Sequence, residues 1–109
     1  MLHHHDPSHD IRSRITGQIG ALAEALPHCA LTQIVQGIDD IRCLARDNGF
    51  AAVETLASRL ESAVAAGGYR AAILTYLDAM SDAASAPRGP MAPAVQEAWL
   101  ASVAMRLGH

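Results

Sequence analysis

Hydrophobic residues recur every three to four positions along most of the chain, which is the spacing of one face of an α-helix. In the first segment these positions are Ile11, Ile15, Ile19, Leu22 and Leu26. In the second they are Leu31, Ile34, Val35, Ile38, Ile41 and Ala45. The next two segments have Val53, Leu56, Ala57, Leu60 and Val64, and then Tyr69, Ile73, Tyr76, Leu77 and Met80. No segment alternates with period two, so the pattern predicts helices and no strands.

Proline and glycine mark the ends of these segments. Pro27 closes the first, because proline cannot continue a helix and disfavours helical geometry in the residue before it. Asn48-Gly49 and Gly67-Gly68 are signals for the ends of the second and third helices. The stretch "SAPRGPMAP", with three prolines and one glycine, is a linker. The sequence therefore predicts five helices, near residues 10–26, 30–47, 50–66, 69–84 and 92–107, with ends uncertain by about two to four residues.

Short loops between amphipathic helices favour antiparallel neighbours. We therefore predict an all-α fold, an up-and-down antiparallel four-helix bundle with an additional C-terminal helix. The final helix is apolar on more than one side, so it is either deeply buried or covers a partner. Its apolar residues are Val95, Trp99, Val103 and Leu107 on one flank and Leu100, Ala101, Ala104 and Met105 on others. A flexible tail is expected at 1–9 and a single domain at 10–109, since 109 residues suffice for one core.

Composition and charge narrow the classes of function. Half of the residues are hydrophobic but only 4% are aromatic, so the core must consist of Ala, Leu, Ile and Val. The net charge is -3 and the arginines are scattered, which leaves no basic stripe for a nucleic acid. No apolar run approaches the ~20 residues of a membrane span, and the N-terminus lacks the apolar segment of a signal peptide. We expect a cytoplasmic protein without nucleic-acid or membrane partners and without a cofactor.

Histidine and cysteine are the first candidates for chemistry. Four histidines lie in the N-terminal tail: His3, His4, His5 and His9. A metal site needs ligands in fixed geometry, so we interpret this tail as solvated, with adventitious metal affinity only. His28 and Cys29 are adjacent in a turn, where neighbouring side chains point apart, and no acid stands nearby to orient the histidine. The two cysteines form no CxxC pattern, and no catalytic motif is present, so we predict that the chain is not an enzyme.

The polar side of the second helix is the remaining candidate. Five of its residues share one ridge or adjoin it: Gln36, Asp39, Arg42, Cys43 and Arg46. Gly37 and Cys43 are small, so the backbone of a partner can come close. A glycine in mid-helix costs roughly 1 kcal/mol relative to alanine, which a need for a flat surface would explain. The alternative interpretation is a face that is merely solvated.

Residues 39–82 resemble histidine phosphotransfer (HPt) domains. The family has a helix with His-x-Leu-Lys-Gly, about five further residues and a helix-ending glycine, followed by two more amphipathic helices. The segment "GFAAVETLASRLESAVAAGGYRAAILTYLDAM" is similar to the second part of that pattern. Counting back from Gly49 brings Asp39 to the position of the phospho-accepting histidine. Ile41 then matches the leucine, while Arg42 and Cys43 stand in the positions of the lysine and the glycine.

HPt domains are helical bundles that relay a phosphoryl group between receiver domains in bacterial two-component signalling. The missing histidine implies that the transfer is lost, since a carboxylate would have to form a mixed anhydride against like-charge repulsion. The resemblance therefore implies a non-catalytic module that binds a response-regulator receiver domain or a histidine kinase through the polar ridge. In such a module the positive charge of Arg42 is expected to meet the acidic pocket of a receiver. The alternative is a structural homodimer that buries the final helix and has no signalling role.

Overall fold

A computed structural model describes residues 7–67, 70–86 and 91–107. These ranges contain the helices α1 Pro7–Ala25, a 3₁₀ helix Leu26–His28, α2 Leu31–Asp47, α3 Ala51–Ala65, α4 Arg70–Ala83 and α5 Pro93–Arg106. They contain no β-strand. The predicted all-α class and the five predicted helices are confirmed.

Helix α1 begins at Pro7, three residues before its predicted start at residue 10. Proline suits the first turn of a helix, because an N–H there has no partner within the helix and the fixed φ of proline is already helical. The predicted flexible tail at 1–9 is therefore too long, since residues 7–9 belong to α1. Residues 1–6, which include three of the tail histidines, lie outside the described residues, as does the side chain of His9.

The turn between α2 and α3 is a glycine-dependent helix end, as predicted. Gly49 has a φ of 77°, in the left-handed region that favours glycine. Its N–H donates to the carbonyl of Arg46 at 3.4 Å, and the N–H of Phe50 donates to the carbonyl of Ala45 at 2.9 Å. These two bonds form a Schellman motif, in which the buried Phe50 supplies the usual apolar contact. The tight turn lets α3 pack closely against α2.

Four helices form a ring around the core. Helix α1 contacts α2 and α4, α3 also contacts α2 and α4, and α5 lies across α3 and α4. All five helices contribute buried side chains to one hydrophobic cluster. The largest fully buried side chains are Ile15, Leu26, Ile34, Ile38, Ile41, Leu56, Leu60, Leu77, Met80, Val53 and Val103. The up-and-down antiparallel order of the four helices stays a prediction.

The side chain of Arg12 on α1 contacts residues just beyond α4 and the turn between α2 and α3. Its Nε donates to the carbonyl of Ala84 at 2.6 Å and its Nη2 to the carbonyl of Ala86 at 3.4 Å, just beyond the end of α4. Carbonyls at the end of a helix lack partners within the helix, so the guanidinium satisfies groups that would otherwise need water. The same guanidinium lies 5.4 Å from the centre of the Phe50 ring, a cation–π distance. One side chain thus links α1, α4 and the turn between α2 and α3.

The predicted inward stripe of α2 is too wide. Leu31 is 58% exposed and Val35 is 39% exposed, although both were expected in the core. The buried positions of α2 are Ile34, Ile38, Ile41 and Ala45. Leu31 is the first residue of α2, and Val35 lies at the edge of the buried stripe, so both side chains reach solvent. They form an apolar extension of the surface that carries Asp39, which follows Val35 by one turn.

Gly37 also has a different role from the predicted one. A Cβ at this position would lie 2.9 Å from Cδ1 of Leu22 on α1, closer than side chains normally approach. The glycine therefore lets α1 pack against α2, and it is not part of a flat surface for a partner. A Cβ at this position would require the end of the Leu22 side chain to shift, which favours glycine here in spite of its low helix propensity.

Candidate functional site

The five predicted site residues lie together on α2. We call Gln36, Asp39, Arg42, Cys43 and Arg46 the polar ridge. Because α2 buries its isoleucines against α1 and α3, these side chains project away from the core. Gln36 and Arg46 are exposed, whereas the other three are partly buried on the side toward α3. Side-chain contacts join Asp39, Arg42 and Cys43, whereas Gln36 and Arg46 bond to other residues of α2. The role of the five as a site stays a prediction.

Arg42 is the most constrained member of the polar ridge. Its Nη2 donates to Oδ1 of Asp39 at 2.6 Å, and its Nε donates to Oε1 of Glu61 at 2.8 Å. The hydrogen bond with Asp39 raises the pKa of Arg42, and the hydrogen bond and negative charge of Glu61 raise this pKa further. Two carboxylates of its own chain therefore already offset the positive charge of Arg42, and its contact with the acidic pocket of a receiver stays a prediction.

Glu61 belongs to this site, and the sequence reasoning did not include it. It lies on α3, nineteen positions after Arg42 in the chain, and only the packing of α3 against α2 brings the two side chains together. A signal was present in the sequence. Glu61 directly follows Leu60, a core residue of α3, so it had to lie at the edge of the buried stripe, where side chains meet the neighbouring helix.

Cys43 completes the partly buried side of the ridge. Its Sγ lies 4.0 Å from Oδ2 of Asp39 and 3.8 Å from Nη2 of Arg42. The carboxylate of Asp39 therefore has a guanidinium on one oxygen and a thiol beside the other. This arrangement fixes the Asp39 side chain, which keeps 40% of its surface exposed.

Gln36 and Arg46 form the exposed ends of the polar ridge. Nε2 of Gln36 donates to Oδ1 of Asp40 at 2.8 Å. Nε of Arg46 donates to Oδ1 of Asp47 at 3.1 Å, and the pKa of Arg46 is raised by this hydrogen bond and by the charge of Asp47. The Arg46 side chain is 51% exposed, so it is the cation of the ridge that a partner can reach.

The charges of the region do not sum to a basic surface. Two guanidinium groups, those of Arg42 and Arg46, stand beside four carboxylates. These carboxylates belong to Asp39, Asp40, Asp47 and Glu61. The net charge of this set is therefore -2, from two positive and four negative groups. This surface therefore offers little Coulomb attraction to an acidic group.

His28 and Cys29, the other candidates for chemistry that the structure describes, do not form a site together. His28 is exposed in the 3₁₀ helix, whereas Cys29 is partly buried and packs against the core, so the two neighbours face different surroundings. Within the described ranges no three His, Cys, Asp or Glu side chains are grouped to hold a metal ion. Among the same residues, no helix has the length and apolar character needed to cross a bilayer.

No protein-family model, curated protein or solved structure matches this chain.

Proposed function

We propose that this chain is a cytoplasmic, HPt-like module of a bacterial two-component system that binds a response-regulator receiver domain and transfers no phosphoryl group. A histidine kinase is the second partner that the same interpretation allows. The proposal rests on the arrangement of side chains on the surface of α2. Asp39, which matches the acceptor histidine by the resemblance, is held in place yet partly exposed, and the exposed Val35 and Leu31 precede it one and two turns earlier. Such a surface offers a partner both apolar and polar contacts.

The geometry of Asp39 supports the absence of phosphoryl transfer. Attack on an aspartyl phosphate needs a good nucleophile, such as an imidazole nitrogen, and a carboxylate is a weaker one. One oxygen of Asp39 already accepts a short hydrogen bond from Arg42. The product would be a mixed anhydride, formed by two groups that repel each other by their charge. The module therefore acts by sequestering the receiver or by competing with another protein for it.

The balance of apolar and charged contacts determines how the partner is held. Leu31 and Val35 give up exposed apolar surface on binding, and this is the favourable contribution that the surface offers. Arg46 adds the one half-exposed guanidinium of the polar ridge. Because nearby carboxylates offset both arginines, we expect modest affinity with a weak dependence on salt, unlike an interface between opposite charges.

The experiment is a binding measurement with purified receiver domains from the same genome, by isothermal titration calorimetry. Val35→Glu should abolish measurable binding, because it places a charge in the apolar part of the surface, and Arg46→Glu should weaken binding severalfold. Leu74→Glu is the matched control, since Leu74 is equally an exposed apolar residue but lies on α4. If Leu74→Glu weakened binding as much as Val35→Glu, the partner would not bind through α2.

A further inference from the structure

The outer side of α5 is an exposed apolar face. Four of its residues are spaced by four, three and four positions, and all four are exposed: Ala94, Ala98, Ala101 and Met105. This is the spacing of the a and d positions of a coiled coil, where one helix packs along another. Met105 is 77% exposed, the largest exposure among the large hydrophobic residues that the structure describes. We call these four residues the outer face of α5.

The opposite side of α5 already packs on its own bundle. Val103 is buried, and Trp99, Leu100 and Leu107 pack partly against the core. Arg106 adds ion pairs to α4, with Nη1 3.4 Å from Oδ2 of Asp78 and Nη2 3.3 Å from Oδ2 of Asp82. The bundle therefore fixes which side of α5 points outward. A surface helix normally carries polar residues on that side, so the outer face of α5 calls for a partner.

We propose that the outer face of α5 binds the same face of a second copy, with the two helices antiparallel about a two-fold axis between Ala98 and Ala101. In this arrangement Met105 of each copy lies opposite Ala94 of the other, and Ala98 lies opposite Ala101. A large side chain then meets a small one at both ends, which keeps the separation of the helices uniform. A parallel pair would stack Met105 on Met105 at one end and alanine on alanine elsewhere, which forces the helices apart at one end.

The flanks of the outer face are compatible with this arrangement. With the same axis, Glu97 of one copy lies beside Ala104 of the other, and Val95 lies beside Ser102. No two like charges meet at these described positions, and the exposed Val95 gains an additional contact. The face is thus complementary to itself in shape and free of charge conflict. A two-fold contact of this kind closes on itself as a dimer and does not propagate into a filament.

The size of the contact predicts its strength. Helix α5 has 14 residues, so it is about 21 Å long at 1.5 Å per residue. A single helix pair of that length buries less than the roughly 1,600 Å² of a standard interface. We therefore expect a weak, concentration-dependent dimer. The dimer does not depend on the proposed receiver binding, because α5 lies across α3 and α4 whereas the polar ridge lies on α2.

Sedimentation velocity of the full chain over a range of concentrations tests for the dimer. Wild type should shift from monomer to dimer as its concentration rises. Ala101→Glu should weaken this association by about tenfold or more, because it places an unpaired charge at the centre of the contact. Val35→Glu is the control, since it changes an exposed apolar residue on α2 and should associate like wild type. A wild type that stays monomeric into the millimolar range, or an Ala101→Glu variant that associates like wild type, overturns the proposal.

Disulfide trapping tests the direction of the helices. In a background of Cys29→Ser and Cys43→Ser, one chain carries Met105→Cys and another carries Ala94→Cys. The antiparallel pair predicts that the mixture of the two chains forms a disulfide much faster than either chain alone. Faster cross-linking of the Met105→Cys chain with itself contradicts the antiparallel arrangement. Equal rates in all three samples contradict a specific contact through this face.

Discussion

Arg42 on α2 and Glu61 on α3 form an ion pair with an Nε–Oε1 distance of 2.8 Å, and the same guanidinium binds Asp39 at 2.6 Å. Glu61 thereby holds Arg42, and Arg42 holds the carboxylate of Asp39, which the proposed HPt-like function assigns to the position of the acceptor histidine. The pairing links two helices across the surface proposed for docking. The positive charge of Arg42 is therefore largely offset within its own chain.

Replacing Glu61 with glutamine should weaken the packing of α2 on α3. The variant keeps the shape of the side chain but removes the negative charge that pairs with Arg42, so the free energy of unfolding should fall. Because this pair lies at the edge of the core, the loss should be smaller than that from truncating a core leucine. Urea denaturation measures the difference, which should shrink as salt is added.

Glu54→Gln is the matched control for that variant. Glu54 also lies on α3, but it forms no salt bridge with any described residue. Its replacement should cost only the interaction of a first-turn carboxylate with the dipole of α3, about 0.3–1 kcal/mol, with no loss of an ion pair between helices. Equal losses of stability for the two variants would mean that the Arg42–Glu61 pair does not stabilise the fold.

Truncation of Leu60 tests the core register of α3. Leu60 has no exposed surface, so Leu60→Ala should cost about 2–5 kcal/mol of unfolding free energy, as buried leucine truncations do. Ser58→Ala should stay within roughly 0.5 kcal/mol, because Ser58 is exposed on the same helix. Chemical denaturation of both variants gives the comparison. Similar midpoints for the two would mean that α3 presents a different face to the core.

Substitution by alanine should affect protein stability differently at Gly17 and Gly37. Gly17 lies in α1, and open space surrounds the place that a Cβ would occupy, so Gly17→Ala should stabilise the protein by up to about 1 kcal/mol through helix propensity. Gly37→Ala gains the same propensity but brings its Cβ to 2.9 Å from Cδ1 of Leu22. The variant should therefore lose that gain or be destabilised. Thermal unfolding of both variants measures the two changes in stability. If Gly37→Ala were stabilised as much as Gly17→Ala, the close packing of α1 on α2 would be contradicted.

The sequence was most informative where a buried stripe was narrow and bounded by clear helix ends. All five predicted inward residues of α3 are buried, and Gly49 ends α2 at the predicted place. The prediction was wrong for Leu31 and Val35, because hydrophobicity alone does not show how wide a strip of α2 its neighbours cover. Among the predicted inward residues of α4, Tyr69 lies outside the described residues.

The site was predictable only within one helix. Helical spacing correctly grouped Asp39, Arg42 and Cys43, since residues three and four apart share a side. Helical spacing could not predict that Glu61 pairs with Arg42, because the register of α3 against α2 depends on how the surfaces of the two helices pack. The same limit explains Gly37, whose contact with Leu22 comes from a neighbouring helix and not from α2 itself.

Transfer of label from a radiolabelled phospho-receiver tests the central claim most directly. Wild type and Asp39→His are each incubated with phosphorylated receivers from the same genome, and binding of the unphosphorylated receivers is measured beside them. We predict that wild type binds a receiver but takes no label, because in the proposed function Asp39 stands in place of a nucleophilic imidazole. Asp39→His should become labelled, since it restores that nucleophile beside Arg42. Label on wild type, or failure of every receiver to bind either form, would contradict the account.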